Sequence, residues 1–279
     1  MGITVNTNMQ ALRIQRNLNG STTKMNAAME RMSSGFKINK AKDDAAGYAV
    51  AATLGKTISG SNIAKDNVSM GDDLLTTTSG TLTVVQQNLQ RIRDLTEQAA
   101  NGTYSTQDLK GIASEVRARL EQIDEMSRTT TFNGKKLLDG SLTKGIDLQI
   151  GTESGQTINL SSDLFATIDT ASLSNLSNTI TAGNTQAISG FLDKVDKVVV
   201  DVIERLTDLG AASNRLEAIS DSLVVQVDSL TSALSTVKDA DIAEESANYV
   251  QQQILQSASA TLLVQANSAP EIALQLIQG

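Results

Sequence analysis

The 279-residue sequence contains no cysteine, no histidine and no tryptophan, and its single proline is Pro270. Without cysteine there are no disulfides, no thiolate metal sites and no cysteine nucleophile. Without histidine the commonest metal ligand and the usual general base are gone, which excludes histidine-based zinc hydrolases and Ser–His–Asp triads. Aromatic residues make up 3% of the chain, so a core must come from aliphatic and small side chains, each burying less area than a ring. Such side chains suit long helices packed along their length, and with so little proline almost nothing interrupts helices ahead of Pro270. No apolar run approaches the ~20 residues of a membrane span, so no membrane partner is expected. The opening Met1-Gly2-Ile3-Thr4-Val5 lacks the basic-then-apolar pattern of a secretory signal peptide.

Charge is present but unevenly placed. The net charge is −8, yet residues 1–42 hold seven basic residues and only Glu30, while residues 239–279 hold five acidic residues and no basic one. Ends of opposite sign favour pairing, within one chain or between chains. A nucleic-acid partner for the basic end is not expected, because its Lys and Arg are spread out and rings are scarce.

Residues 5–32 read as an amphipathic helix. Val5, Met9 and Leu12 set one stripe, and Ile14, Leu18, Met25, Ala28 and Met32 continue near it with some drift. A narrow, Met-rich face buries little, so such a helix is marginal alone and needs partners. Ser33-Ser34-Gly35 breaks the pattern, a basic link follows, and Asp43-Asp44 offers a cap and first-turn acid for the next helix. That helix runs from about 44 to 100, with Ile63, Met70, Leu74, Leu82, Val85, Leu89, Ile92 and Leu95 at helical steps. Gly47, Gly55, Gly60, Gly71 and Gly80 weaken it by up to ~1 kcal/mol each relative to Ala. Either close backbone packing or deliberate softness accounts for them, and the sequence does not separate the two. A helix over 106–128 follows. Asn133-Gly134 then signals a turn, and short β-like pieces are expected at 137–138, 146–150 and 157–160. Residues 161–190, rich in Ser, Thr and Asn, read as a loop-like insert.

The clearest periodicity runs from Phe191 to Val237, with apolar residues separated only by steps of three and four. The mean step is about 3.5 residues, the coiled-coil repeat. At 1.5 Å per residue this helix spans roughly 70 Å and needs a partner along its length. The closing arm, 239–279, carries Ile242, Tyr249, Ile254 and Leu262 before Pro270 and Leu274 and Ile277 after it. The expected fold is therefore mostly α: an elongated antiparallel long-helix bundle or coiled coil with a small β-hairpin region and two terminal helical arms. Its parts are an arm at 1–43, body helices with the β region and insert at 44–190, a long body helix at 191–238, and a second arm at 239–279. Gly55-Lys56-Thr57 lacks the earlier glycine of a phosphate loop, since Val50 stands there. Adjacent acids such as Asp72-Asp73 diverge on a helix and do not face one substrate. No catalytic constellation, metal site or cofactor site emerges.

Several segments, in order, resemble bacterial flagellin: Ile3-Thr4-Val5-Asn6-Thr7-Asn8, Met32-Ser33-Ser34-Gly35, Lys42-Asp43-Asp44-Ala45-Ala46-Gly47, Gln90-Arg91-Ile92-Arg93-Asp94-Leu95, Phe132-Asn133-Gly134-Lys135-Lys136-Leu137-Leu138-Asp139-Gly140 and Asp239-Ala240-Asp241-Ile242-Ala243-Glu244-Glu245. The resemblance covers the chain except about 145–190, where many members carry large outer domains and this chain has room for a short insert. It implies a subunit of the flagellar filament, a homopolymer outside the cell, exported unfolded by the flagellar type III system. It implies an export chaperone on the closing arm, and cap and hook-junction proteins as partners. The alternatives are a hook–filament junction protein, or a secreted adhesin or receptor ligand. Val5, Met9, Leu12, Leu18, Met25, Ile242, Tyr249, Ile254, Leu262, Leu274 and Ile277 are the expected self-assembly residues. The resemblance further implies recognition by Toll-like receptor 5 through positions that correspond to Arg91, Leu95 and Glu115. Leu95 lies on the apolar stripe and is equally readable as core, whereas Arg91 and Glu115 read as exposed.

Overall fold

The computed structural model describes residues 7–278, and side chains to residue 268. Its elements are helices α1 (Met9–Ser34), α2 (Ala45–Ala100) and α3 (Thr106–Thr129), then the hairpins β1 (Thr131–Phe132)–β2 (Lys135–Lys136) and β3 (Ile146–Gln149)–β4 (Thr157–Leu160). Two 3-10 turns, Ser162–Phe165 and Ala171–Leu173, lead to α4 (Leu176–Ala182), α5 (Thr185–Lys238) and α6 (Ile242–Gln278). The chain forms two compact units, one of residues 59–227 and one of residues 1–58 with 228–279.

In the 59–227 unit, Leu82, Val85, Leu89 and Ile92 of α2, Val116 and Ile123 of α3, and Val195, Val202 and Leu216 of α5 are fully buried in one cluster. Polar bonds at the rim fix antiparallel packing. Arg91 of α2 reaches Glu115 of α3, and Arg119 reaches back to Asn88 at 2.9 Å. Arg93 of α2 meets Asp196 of α5 at 2.7 Å, and further along Ser213 donates to Asp72. α3 begins with a capping box in which Ser105 and Asp108 satisfy each other's backbone N–H groups.

The glycines of α2 divide into two kinds. A Cβ on Gly60 would run into Thr152, and one on Gly71 would run into Leu148 and press on Leu216 at 3.3 Å, whereas Gly55 and Gly80 face open space. The first pair lets the β3–β4 hairpin lie against the helix backbone, and Asn67 ties it there by donating to the Gln149 carbonyl at 3.0 Å. The turn at Asn133-Gly134 forms with both residues at positive φ, 46° and 76°, joining β1 to β2.

Two sequence expectations change. Leu137 and Leu138 are not a strand; they follow β2 and are completely buried. The segment 161–190 is not a loop-like insert: Phe165, Leu173, Leu176, Ile180 and Ile188 plug the same core. Arg205 of α5 anchors it by donating to the carbonyls of Ala166 and Thr167 at 2.6 and 3.1 Å. Its apolar residues fall at irregular intervals among Ser, Thr and Asn, so neither a helical nor a strand period marks them.

Candidate assembly interface

In the other unit α1 and α6 run antiparallel. The Asn8 amide caps α1, with its oxygen accepting from Ala11, and its nitrogen donates to the Ala266 carbonyl at 2.8 Å. Midway, Gln256 donates to Thr22 at 3.0 Å, and near the other end Arg31 donates to Glu245 at 2.9 Å. Beyond the helices the pairing continues as backbone bonds, Lys37 to Lys238 at 2.8 Å and Ala240 to Gly35 at 2.9 Å. The Lys238 ammonium lies 4.0 Å from the centre of the Phe36 ring. Asp43 caps the turn at residues 39–40, and Asp44 caps α2 by accepting from the N–H groups of Ala46 and Gly47.

The seam between α1 and α6 is thin. Along α1 its covered positions include Ala11, Ile14, Leu18, Ser21, Met25, Ala28 and Met32, with Thr22 and Arg31 beside them; along α6 they include Glu245, Tyr249, Gln252, Gln256, Ser259, Leu263 and Ala266, with Ser246 and Ser268 beside them. The first-named positions on each helix advance by alternating steps of three and four, the heptad spacing of a helix pair. Among the described residues of this unit, the buried apolar side chains are Ala28, Ile38, Ala51 and Ala266. Burying alanines contributes about 0.8 kcal/mol per CH₂-sized group, far less than Leu or Ile.

α6 therefore turns Gln252, Gln256 and Ser259, with Tyr249 and Leu263, toward α1 and most of its large aliphatic residues away. Val250, Ile254, Leu255, Leu262 and Val264 are exposed, Ile254 at 63% and Val264 at 69%. Ser246, Ala247, Val250, Gln251, Ile254 and Leu255 line a shallow, almost wholly apolar hollow on this face. Met9, Leu12 and Met29 are likewise exposed on α1. The expected assembly residues thus divide: Leu18, Met25 and Tyr249 sit on the seam, while Met9, Leu12, Ile242, Ile254 and Leu262 face outward. The drift in the α1 stripe was two faces read as one. Val5 lies outside the described residues, as do the side chains of Leu274 and Ile277. Arg31–Glu245, Thr22 and Gln256 were not singled out from the sequence, because a polar heptad gives no hydrophobic signal; only its spacing marks it.

The three receptor positions fall together on α2 and α3. Arg91 grips Glu115 with two hydrogen bonds, at 3.0 and 3.3 Å, and both side chains remain partly exposed. Hydrogen bonding and charge from Arg91 hold the Glu115 carboxyl below its ordinary range, with Arg119 adding to the effect against a desolvation penalty. Leu95 is 2% exposed and belongs to the core, so its side chain presents no surface to a partner. Among the described residues no cluster of three or more potential metal-ligating side chains forms, and no helix is long and apolar enough to cross a membrane.

The chain matches the family model of the bacterial flagellin N-terminal helical region over residues 5–143, and that of the C-terminal helical region over residues 192–277. It is 35% identical to the flagellin of Halalkalibacterium halodurans over 274 residues, spanning 98% of this chain and 99% of that one. To the flagellin of Bacillus subtilis it is 34% identical over 304 residues, 98% and 99% of the two chains. To that of Xenorhabdus nematophila it is 35% identical over 317 residues, the whole of both. In fold it resembles a protein described as a flagellar hook-associated protein from Vibrio parahaemolyticus, with a TM-score of 0.63 at 16% identity over 71% of this chain and 100% of that one. It also resembles Bacillus cereus FlgL, with a TM-score of 0.51 at 18% identity over 67% and 98%. Full-length identity above 30% is to flagellins, and on it, with the two family matches, the chain belongs to the bacterial flagellins, the structural subunits of the flagellar filament.

Proposed function

We propose that the α1–α6 pair is the element through which copies of this chain polymerise, each copy covering apolar surface that the next leaves open. The observation that carries this reading is the orientation of α6, which faces its own chain with Gln252, Gln256 and Ser259 and faces outward with Val250, Ile254, Leu255, Leu262 and Val264. Two different apolar faces on one subunit make a heterologous contact that does not close on itself, and such a contact builds an open helical polymer. A seam this poor in buried carbon is also easily undone, which suits export of the chain unfolded through the flagellar type III system. A chaperone on the closing arm before export, a cap at the growing tip and junction proteins at the hook complete the set of partners.

The test is Ile254→Asp together with Leu262→Asp in the full chain. Pelletable filaments are expected to disappear in electron microscopy and sedimentation, with the helical circular dichroism signal retained. Filaments of normal length from this variant would overturn the reading. On the family resemblance we also propose the partly exposed Arg91–Glu115 pair as a Toll-like receptor 5 contact. Arg91→Ala should reduce receptor signalling in a reporter assay without loss of the fold, whereas Leu95→Ala would act through core packing.

A further inference from the structure

The sequence has no cysteine, so its oxidisable sulfurs are the thioethers of seven methionines. Four of them, Met9, Met25, Met29 and Met32, lie in the 26 residues of α1, whereas α5 and α6 contain none. The arm pair is therefore chemically asymmetric. α6 faces outward with aliphatic side chains, and α1 with Leu12 and two thioethers. Met9 is 54% exposed and Met29 48%, both outside the seam. Met25 and Met32 are half-buried on the seam, and the Met32 sulfur accepts from the Ser246 hydroxyl at 3.9 Å. In the other unit Met126 packs against the core and Met70 is 53% exposed on α2. Exposure decides which sulfur a dissolved oxidant reaches, so Met9, Met29 and Met70 are open to it in the free subunit.

We propose that Met9 and Met29 are oxidation sites that control entry of the subunit into the polymer, with hydrogen peroxide as the class of oxidant. The sulfur lone pair attacks one peroxide oxygen; the O–O bond breaks and an S–O bond forms. The displaced hydroxide takes the proton of the transferred oxygen and leaves as water. Sulfur loses two electrons and the peroxide gains them. The product is a polar sulfoxide where an apolar, adaptable side chain stood. The effect on assembly rests on the function proposed above, in which neighbouring copies cover the outward surface of the arms. A sulfoxide at Met9 or Met29 takes a strong hydrogen-bond acceptor into an apolar contact that supplies no donor, which is unfavourable. A sulfoxide at Met70 lies on α2, outside the arm pair, and carries no such penalty. Reduction of the sulfoxide restores the thioether, so the block is reversible.

The test uses the full chain as a dilute monomer, partly oxidised with hydrogen peroxide, freed of oxidant and then allowed to polymerise. Filaments and unpolymerised subunits are separated by sedimentation, and sulfoxides are located in each by peptide mass spectrometry. Sulfoxides at Met9 and Met29 should be enriched several-fold among the subunits left in solution, while the Met70 sulfoxide divides evenly. Even division at Met9 and Met29 would overturn the proposal. Met9→Leu with Met29→Leu keeps apolar side chains of similar size and removes both sulfurs. That variant should polymerise alike before and after peroxide, and a loss equal to the parent's would also overturn the proposal. Should it fail to polymerise untreated, the partition in the parent decides. The Ile254→Asp, Leu262→Asp chain separates the two readings. Filaments from it overturn the assembly reading and the proposal with it, whereas their absence together with even division overturns the oxidation sites alone.

Discussion

Gly80 and Gly71 lie on one helix for different reasons, and the difference is measurable. Gly80 faces open space, so Gly80→Ala is expected to stabilise by up to ~1 kcal/mol through helix propensity alone. Gly71 lies under Leu148 and beside Leu216, so Gly71→Ala forces the Leu148 side chain to move and should cost about 1–3 kcal/mol. Denaturant unfolding followed by circular dichroism separates the two; equal signs would mean that close packing does not explain Gly71. Glu115 gives a second residue-scale test. Its pKa is depressed in the folded chain by Arg91, so its stabilising contribution is present at neutral pH and is lost as pH falls through the folded value. Glu115→Gln should therefore lower the melting temperature slightly at pH 7 and flatten its decline on the acid side. The effect is small because both side chains are more than a third exposed. A melting temperature that falls with acid as steeply in the variant as in the parent would remove Glu115 from the account.

At the scale of elements, legibility in the sequence tracked how each helix earns its order. α5 was readable because its buried positions Val195, Val198, Val202, Leu209, Leu216 and Leu223 are large, apolar and regularly spaced. α6 misled in an instructive way. Its apolar residues were readable, but Val250, Ile254 and Leu262 mark the open side, while the side that meets α1 is polar and shows only as spacing. Of the expected α6 residues whose side chains are described, Tyr249 lies on the contact within the chain, while Ile242, Ile254 and Leu262 are exposed. The segment 161–190 was not readable at all, since its core residues follow no period. Its structural weight is testable through Phe165, 1% exposed in the shared core. Phe165→Ala should cost about 3–5 kcal/mol in equilibrium unfolding. A cost near zero would return the segment to the status of a dispensable loop.

The whole molecule joins a unit with a dense aliphatic core to one held by a thin, polar seam. In the first, fully buried Leu, Ile, Val and Phe side chains come from every helix and from β4; in the second, the buried apolar groups among the described residues are three alanines and Ile38. Free energies of local opening follow buried apolar contact, so the two units should open at very different cost in a dilute monomer. Limited proteolysis of monomeric protein is expected to remove the arms first and leave a resistant fragment close to residues 59–227. In the polymer the open faces around Ile254, Leu262 and Leu12 are covered by neighbouring copies on the assembly reading, and the same protease should then leave the chain intact. Burial supplied by neighbours, not by the chain itself, is the only term that changes between the two samples. Arms that resist cleavage equally in monomer and polymer would show that the α1–α6 seam is self-sufficient, and the outward apolar face of α6 would lose its explanation.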